Sequence, residues 1–177
     1  IPFVDKDGVE DGDQGKNRRP HDHNRDYNDS SLYNETSALR NFLPGWVESK
    51  TLISFDLHCP YIQGAHDKDI YIVGSKYKEN AAEQEKFGRL LNETIKKESG
   101  AYHVGYLPFG TAWNTGSSFQ KGLSCSSYCC EILHSKASMS FEFPYGSYSG
   151  IPATAEAYRL AGKHIAKALQ IYLTDNK

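Results

Sequence analysis

From residue 51 onward, apolar and polar positions come in blocks that switch between a period of two and a period near 3.6. Thr51 to His58 (TLISFDLH) is rich in β-branched and aromatic residues and predicts a buried strand ending at Cys59-Pro60. Ile70 to Gly74 predicts a second strand. Ala137 to Phe143 (ASMSFEF) predicts another, closed by Pro144. Two long stretches carry helical stripes instead. In Glu79 to Ser99 the stripe is Phe87, Leu90, Leu91, Thr94 and Ile95, with Gly100 at the stop position. In Pro152 to Leu173 it is Ala157, Leu160, Ala161, Ile165, Ala168, Leu169 and Tyr172, with proline at the start. Ser30 to Phe42 predicts a shorter helix stopped by Pro44-Gly45, and Ser124 to His134 another. Residues 101–122 read as loop with one strand. Strands alternating with helices predict an α/β fold, a mixed sheet with helices on both faces and a cleft at the strand ends.

Residues 1–30 break this pattern. Eight acidic and five basic side chains crowd there, and after Val4 only Val9 and Tyr27 are apolar. No period survives, so the segment predicts loop after a short opening strand. A calcium-loop reading fails in either register. From Asp7 the third position is Val9 and the twelfth is Arg18; from Asp5 the sixth is Glu10.

Composition narrows the classes. With 177 residues the chain fits one domain, and its first residue is Ile1, which suggests a processed chain or a piece of a longer one. A formal charge of -2 gives no reason to expect nucleic acid or an acidic membrane surface. No apolar run approaches the ~20 residues of a membrane span. The four cysteines show no paired C-x-x-C spacing, which argues against a structural zinc knuckle.

Stock catalytic motifs are absent. Gly146-Ser147-Tyr148-Ser149-Gly150 has a tyrosine where a nucleophile elbow needs serine. Three features carry possible chemistry. The run Lys16-Asn17-Arg18-Arg19-Pro20-His21-Asp22-His23-Asn24-Arg25-Asp26-Tyr27 gathers cations and an amide suited to a carboxylate, or else forms a solvated charged loop with local ion pairs. His58 ends an apolar strand, where α/β sheets bind ligands; a core histidine bonded to backbone is the alternative. Glu142 sits among aromatics. Alternation puts Met139, Phe141 and Phe143 on one strand face and Ser138, Ser140 and Glu142 on the other, so Glu142 is either functional or on a half-exposed strand.

Taken in order, "DKDGVEDGD…KNRR…HNRDY", "FDLHCP", "MSFEFPYG" and an amphipathic C-terminal helix resemble the M14 zinc carboxypeptidase family. The resemblance runs from residue 1 to about residue 173. It implies zinc as cofactor, with His58 as a ligand, and Glu142 as the general base that takes a proton from metal-bound water. It implies Arg18, or alternatively Arg19, as the group that polarises the scissile carbonyl. Asn24 and Arg25 would hold the substrate's free C-terminal carboxylate. Tyr106 and Tyr128 are candidates for the family's mobile tyrosine. The pocket for the C-terminal side chain is expected in residues 101–135, with Trp113, Asn114, Ser118 and Gln120 as candidates. The implied activity is release of C-terminal amino acids from peptides. Hydrolysis of N-acyl amino acids or muropeptide-like amides is an alternative on the same fold, and a metal-free carboxylate-binding module is another. The family's H-x-x-E zinc motif, which precedes its DG element, occurs nowhere here. Residues 1–177 are therefore expected to be the C-terminal portion of one catalytic domain, whose N-terminal part would be its partner.

Overall fold

The computed structural model describes residues 1, 4–13, 15, 18–62, 64–116 and 122–174. Its elements in chain order are α1 (Lys6–Asp11), a 3-10 turn (His23–Arg25), α2 (Asn34–Val47), β1 (Ile53–His58), β2 (Tyr71–Val73), α3 (Lys78–Glu98), β3 (Gly105–Leu107), α4 (Cys125–Glu131), β4 (Ala137–Glu142), β5 (Ser147–Tyr148), β6 (Ile151–Pro152) and α5 (Ala155–Thr174). The four main strands form one sheet in the order β1-β4-β2-β3, and β5 and β6 form a separate ribbon. β2 runs parallel to β3 and antiparallel to β4. Backbone bonds from Lys136 to Leu52 and from Phe143 to His58 join β1 and β4 in the same chain direction. The sheet is therefore mixed, as the alternation of elements predicts.

The chain folds as two compact units: Ile1–Ser54 with Thr115–Ser138, and Phe55–Asn114 with Met139–Lys177. In the second unit the odd positions of β4 face an aromatic core. Phe87 of α3 is fully buried and meets Phe55 at 5.3 Å, Phe141 at 6.4 Å and Tyr172 of α5 at 5.9 Å. The helical stripe of α3 is buried at Phe87, Leu91, Thr94 and Ile95, as expected, and extends to Gln84 and Asn80. Two buried polar contacts there are hydrogen-bonded: Gln84 accepts from the Ser75 N–H at 2.8 Å, and the Tyr102 hydroxyl meets His164 Nδ1 at 2.9 Å. In the first unit Tyr27, Tyr128 and Cys129 form a small core, on which Leu39 and Leu43 of α2 and Leu52 pack.

Three local expectations are corrected. Residues 6–11 are helix rather than loop. Asp5 caps the Gly8 N–H at 3.0 Å, Lys6 pairs with Glu10 one turn on, and Gly12 closes the helix at φ 72°. Helix α2 does not stop before Pro44 but passes through it to Val47. Proline offers no N–H to the carbonyl of Arg40, and the Tyr128 hydroxyl approaches that oxygen instead, at 3.4 Å. Pro152 belongs to β6, and α5 starts later, at Ala155.

Candidate functional site

The sheet segregates side chains by alternation. On one face of β1 and β4 the Ser54 and Ser138 hydroxyls meet at 2.6 Å, and the Ser140 hydroxyl approaches Asp56 Oδ2 at 3.5 Å. Both pairs are 84 positions apart, and the same separation relates His58 to Glu142. Phe143 N donates to the His58 carbonyl at 2.8 Å, so His58 and Glu142 end adjoining strands on one polar face. β4 is an interior strand, with Ser138 fully buried and Ser140 nearly so. β4 is thus a central strand whose polar face is covered at Ser138 and Ser140, while Glu142 at its end is half-buried. The Ser138 hydroxyl donates to the Ser126 carbonyl at 2.9 Å, as burial requires.

His58 is held by its own strand. Its Nε2 lies 2.7 Å from Asp56 Oδ2, two residues back on the same face. A carboxylate so placed fixes the ring orientation. Asp56 is a residue that the sequence candidates omit, although F-D-L-H at period two is signal enough to find it. Glu142 faces Tyr71, its direct cross-strand partner. Burial first, and then the Glu142 charge, push the Tyr71 phenol well above its ordinary value. The Cys59 thiol is also raised, by burial first and by Glu142, against a hydrogen bond from Tyr145.

The cationic candidates lie in the first unit. Arg18 is engaged by acids: Asp13 at 2.8 Å and Asp5 at 3.3 Å. The hydrogen bond to Asp13 is the main cause of its raised pKa. Arg19 is exposed, and its carbonyl accepts from the Tyr33 hydroxyl at 3.2 Å. Asn24 and Arg25 form a short 3-10 turn begun by the Asp22 carboxylate, which accepts from Asn24 N at 2.8 Å. The Asn24 side-chain oxygen accepts from Cys125 N at 2.7 Å, at the start of α4. Arg25 Nη1 donates to the Asn24 carbonyl at 2.5 Å. Gly122 lies so close that a Cβ there would stand 2.1 Å from the Arg25 carbonyl. The turn rests on Asp26, a fully buried carboxylate bonded by His21 Nε2 at 2.8 Å, Leu32 N and Tyr33 N at 2.9 Å, and the Thr36 hydroxyl.

The remaining candidates take structural places. Asn114 is buried and donates to the carbonyls of Gly74 at 2.8 Å and Leu107 at 3.1 Å. Tyr128 is core, and the Tyr106 hydroxyl approaches Gln84 at 3.4 Å. Trp113 stands beside the Tyr71 hydroxyl. Lys16, Asn17, Ser118 and Gln120 lie outside the described residues. The expected zinc does not fit what is present: among the described residues no three His, Cys, Asp or Glu side chains converge. Catalytic zinc sites usually have three protein ligands, and His58 would supply one.

No family model matches the chain, and no curated protein matches it. A solved structure does, the metallo-carboxypeptidase from Burkholderia cenocepacia. The superposition covers 100% of this chain and 44% of that one, with a TM-score of 0.68 at 15% sequence identity. The chain thus shares that protein's α/β fold and spans less than half its length.

Proposed function

We propose that this chain is the C-terminal portion of a metallocarboxypeptidase-type hydrolase domain that releases C-terminal amino acids from peptides. The observation that carries the reading is the pair His58 and Glu142, ending neighbouring strands on one polar face of a carboxypeptidase-like sheet. Glu142 is the general base, accepting a proton from the attacking water and returning it to the leaving amine. Asn24 and Arg25 hold the terminal carboxylate by charge-assisted hydrogen bonds. Arg18 or Arg19 faces the carbonyl. For Arg18 this requires leaving Asp5 and Asp13, which makes Arg19 the readier of the two. Zinc needs ligands beyond His58, supplied in this reading by an H-x-x-E segment on a preceding N-terminal part.

The described residues' lack of a three-ligand cluster favours a second reading, a metal-free carboxylate-binding module. Calorimetry on this chain with an N-acetyl amino acid and its amide tests what both readings share. The acid should bind about ten-fold tighter or better, since charge-assisted bonds contribute roughly 1.5–3 kcal/mol each. Arg25→Ala should erase that preference; equal binding of acid and amide by the unsubstituted chain would sink the clamp. Turnover of a free-carboxylate peptide with added zinc then separates the two readings. The hydrolase loses turnover in Glu142→Gln while still binding, whereas the module has no turnover to lose.

A further inference from the structure

Tyr71 has no role in the reaction described above, yet it occupies a telling place. It opens β2 directly opposite Glu142 on β4. Opposed residues of an antiparallel pair project to the same face, with Cβ atoms about 4.5–5.5 Å apart. Tyr71 is 5% exposed, and its hydroxyl is shielded from solvent. Among the described residues that hydroxyl completes no hydrogen bond of ordinary geometry. Trp113 acts on the phenol oxygen from nearby, but an indole N–H only donates and leaves the phenol proton unused. Burial and the Glu142 charge keep the phenol protonated, so it stays a donor. A buried hydroxyl left unbonded costs about 1–3 kcal/mol, which a ligand's acceptor would recover.

A donor and a carboxylate acceptor thus stand side by side on the polar face. The ligand group that answers both is an amide, which offers a carbonyl oxygen and an N–H. We infer that Tyr71 contacts the ligand directly, its hydroxyl donating to the carbonyl oxygen of an amide bound beside Glu142. The inference rests on the hydrolase or carboxylate-binding reading above and names the amide contact of that site.

The test is calorimetry on this chain with three probes. N-acetyl-L-phenylalanine carries the amide, its thioacetyl counterpart replaces the carbonyl oxygen by a poor acceptor, and 3-phenylpropanoate lacks the amide. Tyr71→Phe should weaken the acetyl probe by about 2–12-fold, the span of one neutral hydrogen bond. It should leave 3-phenylpropanoate unchanged. The unsubstituted chain should bind the thioacetyl probe more weakly by a similar factor, a readout that needs no variant to fold. Equal affinity for the acetyl and thioacetyl probes, or equal losses on the acetyl probe and 3-phenylpropanoate in Tyr71→Phe, overturns the role of Tyr71 while the carboxylate clamp stands. Failure of the unsubstituted chain to bind any probe overturns the functional reading, and this inference with it.

Discussion

Asp26→Asn should destabilise the protein more than any other single-atom exchange in the first unit. The carboxylate is fully buried and accepts from four donors: His21 Nε2, Leu32 N, Tyr33 N and Thr36 Oγ1. Asparagine replaces one acceptor oxygen by a donor. In one amide orientation the NH2 meets the Tyr33 N–H and the Thr36 hydroxyl; in the other it meets Leu32 and His21. Either way a buried backbone N–H loses its partner. Bonds to a charged group contribute about 1.5–3 kcal/mol each, and an orphaned buried donor costs about 1–3 kcal/mol, so the loss should be roughly 3–5 kcal/mol. Urea unfolding followed by intrinsic fluorescence reads it directly. With a slope of about 2 kcal/mol per molar urea, the midpoint should fall by roughly 2 M. The pH dependence supplies an independent check. Burial raises the Asp26 pKa, but the bonds from Thr36, Leu32, Tyr33 and His21 outweigh it and the net shift is downward from 3.8. Its stabilisation is therefore complete above about pH 4 and is lost as pH falls through the lower folded value. The asparagine variant should lack that acid-side loss. A midpoint shift under about 0.5 M at neutral pH would refute the claim that this carboxylate organises the segment carrying Asn24 and Arg25.

Three further outcomes follow from the packing. Phe87→Ala empties the centre of the cluster of Phe55, Phe141 and Tyr172. It should cost about 3–5 kcal/mol and lower the thermal midpoint by roughly 6–20 °C in calorimetry. Gly122→Ala places a methyl 2.1 Å from the Arg25 carbonyl at φ 139°. It should lose at least about 1–3 kcal/mol in urea unfolding and weaken carboxylate binding, because the turn holding Arg25 must shift. His164 is fully buried with its pKa lowered, mainly by burial. The unfolded chain thus takes its proton first as pH drops below about 6.5, and stability should decline there. His164→Gln should flatten that decline in thermal scans from pH 8 to pH 5.

The elements easiest to read from the sequence were those whose burial follows a simple period. Helix α3 shows its stripe, and β1 and β4 show their β-branched and aromatic runs. Helix α1 gave no such signal because it buries only Gly8; its capping Asp5 and the Lys6–Glu10 pair were the clues, and both also suit a charged loop. Pro44 read as a stop because the rule weighs the lost backbone bond, not the side chain 84 residues away, Tyr128, that approaches the Arg40 carbonyl. Period two correctly sorted Glu142 from Phe141. It could not say whether the polar face was covered, since that depends on strand order, and β4 lies inside the sheet. For Arg18 the sequence leaves open a carboxylate-binding role or local ion pairs, and it does not say which acids would pair with it. Its pairing with Asp5 and Asp13 arises from how α1 and the following turn fold back.

The Asp56–His58 contact bears most directly on the chemistry. Asp56 holds Nε2 at 2.7 Å and so sets the orientation of the His58 ring. A histidine serving only as core filler has no need of an adjacent carboxylate, and burying that carboxylate would cost stability unless its bonds compensate. Here the compensation is built along the strands: Ser140 supports Asp56, and Ser54 and Ser138 satisfy each other one step further in. The result is a prealigned imidazole at the strand end, beside a glutamate whose charge adds to the burial that raises Tyr71 and Cys59. A carboxylate-oriented imidazole next to a glutamate suits metal ligation paired with a general base. The described residues supply only part of such a centre. Asp56→Asn therefore separates the cases. If His58 works as a ligand, the variant should lose metal affinity by about 10–100-fold, the usual cost of removing such support. If the polar face is only structural, zinc affinity should be the same in the variant and the unsubstituted chain.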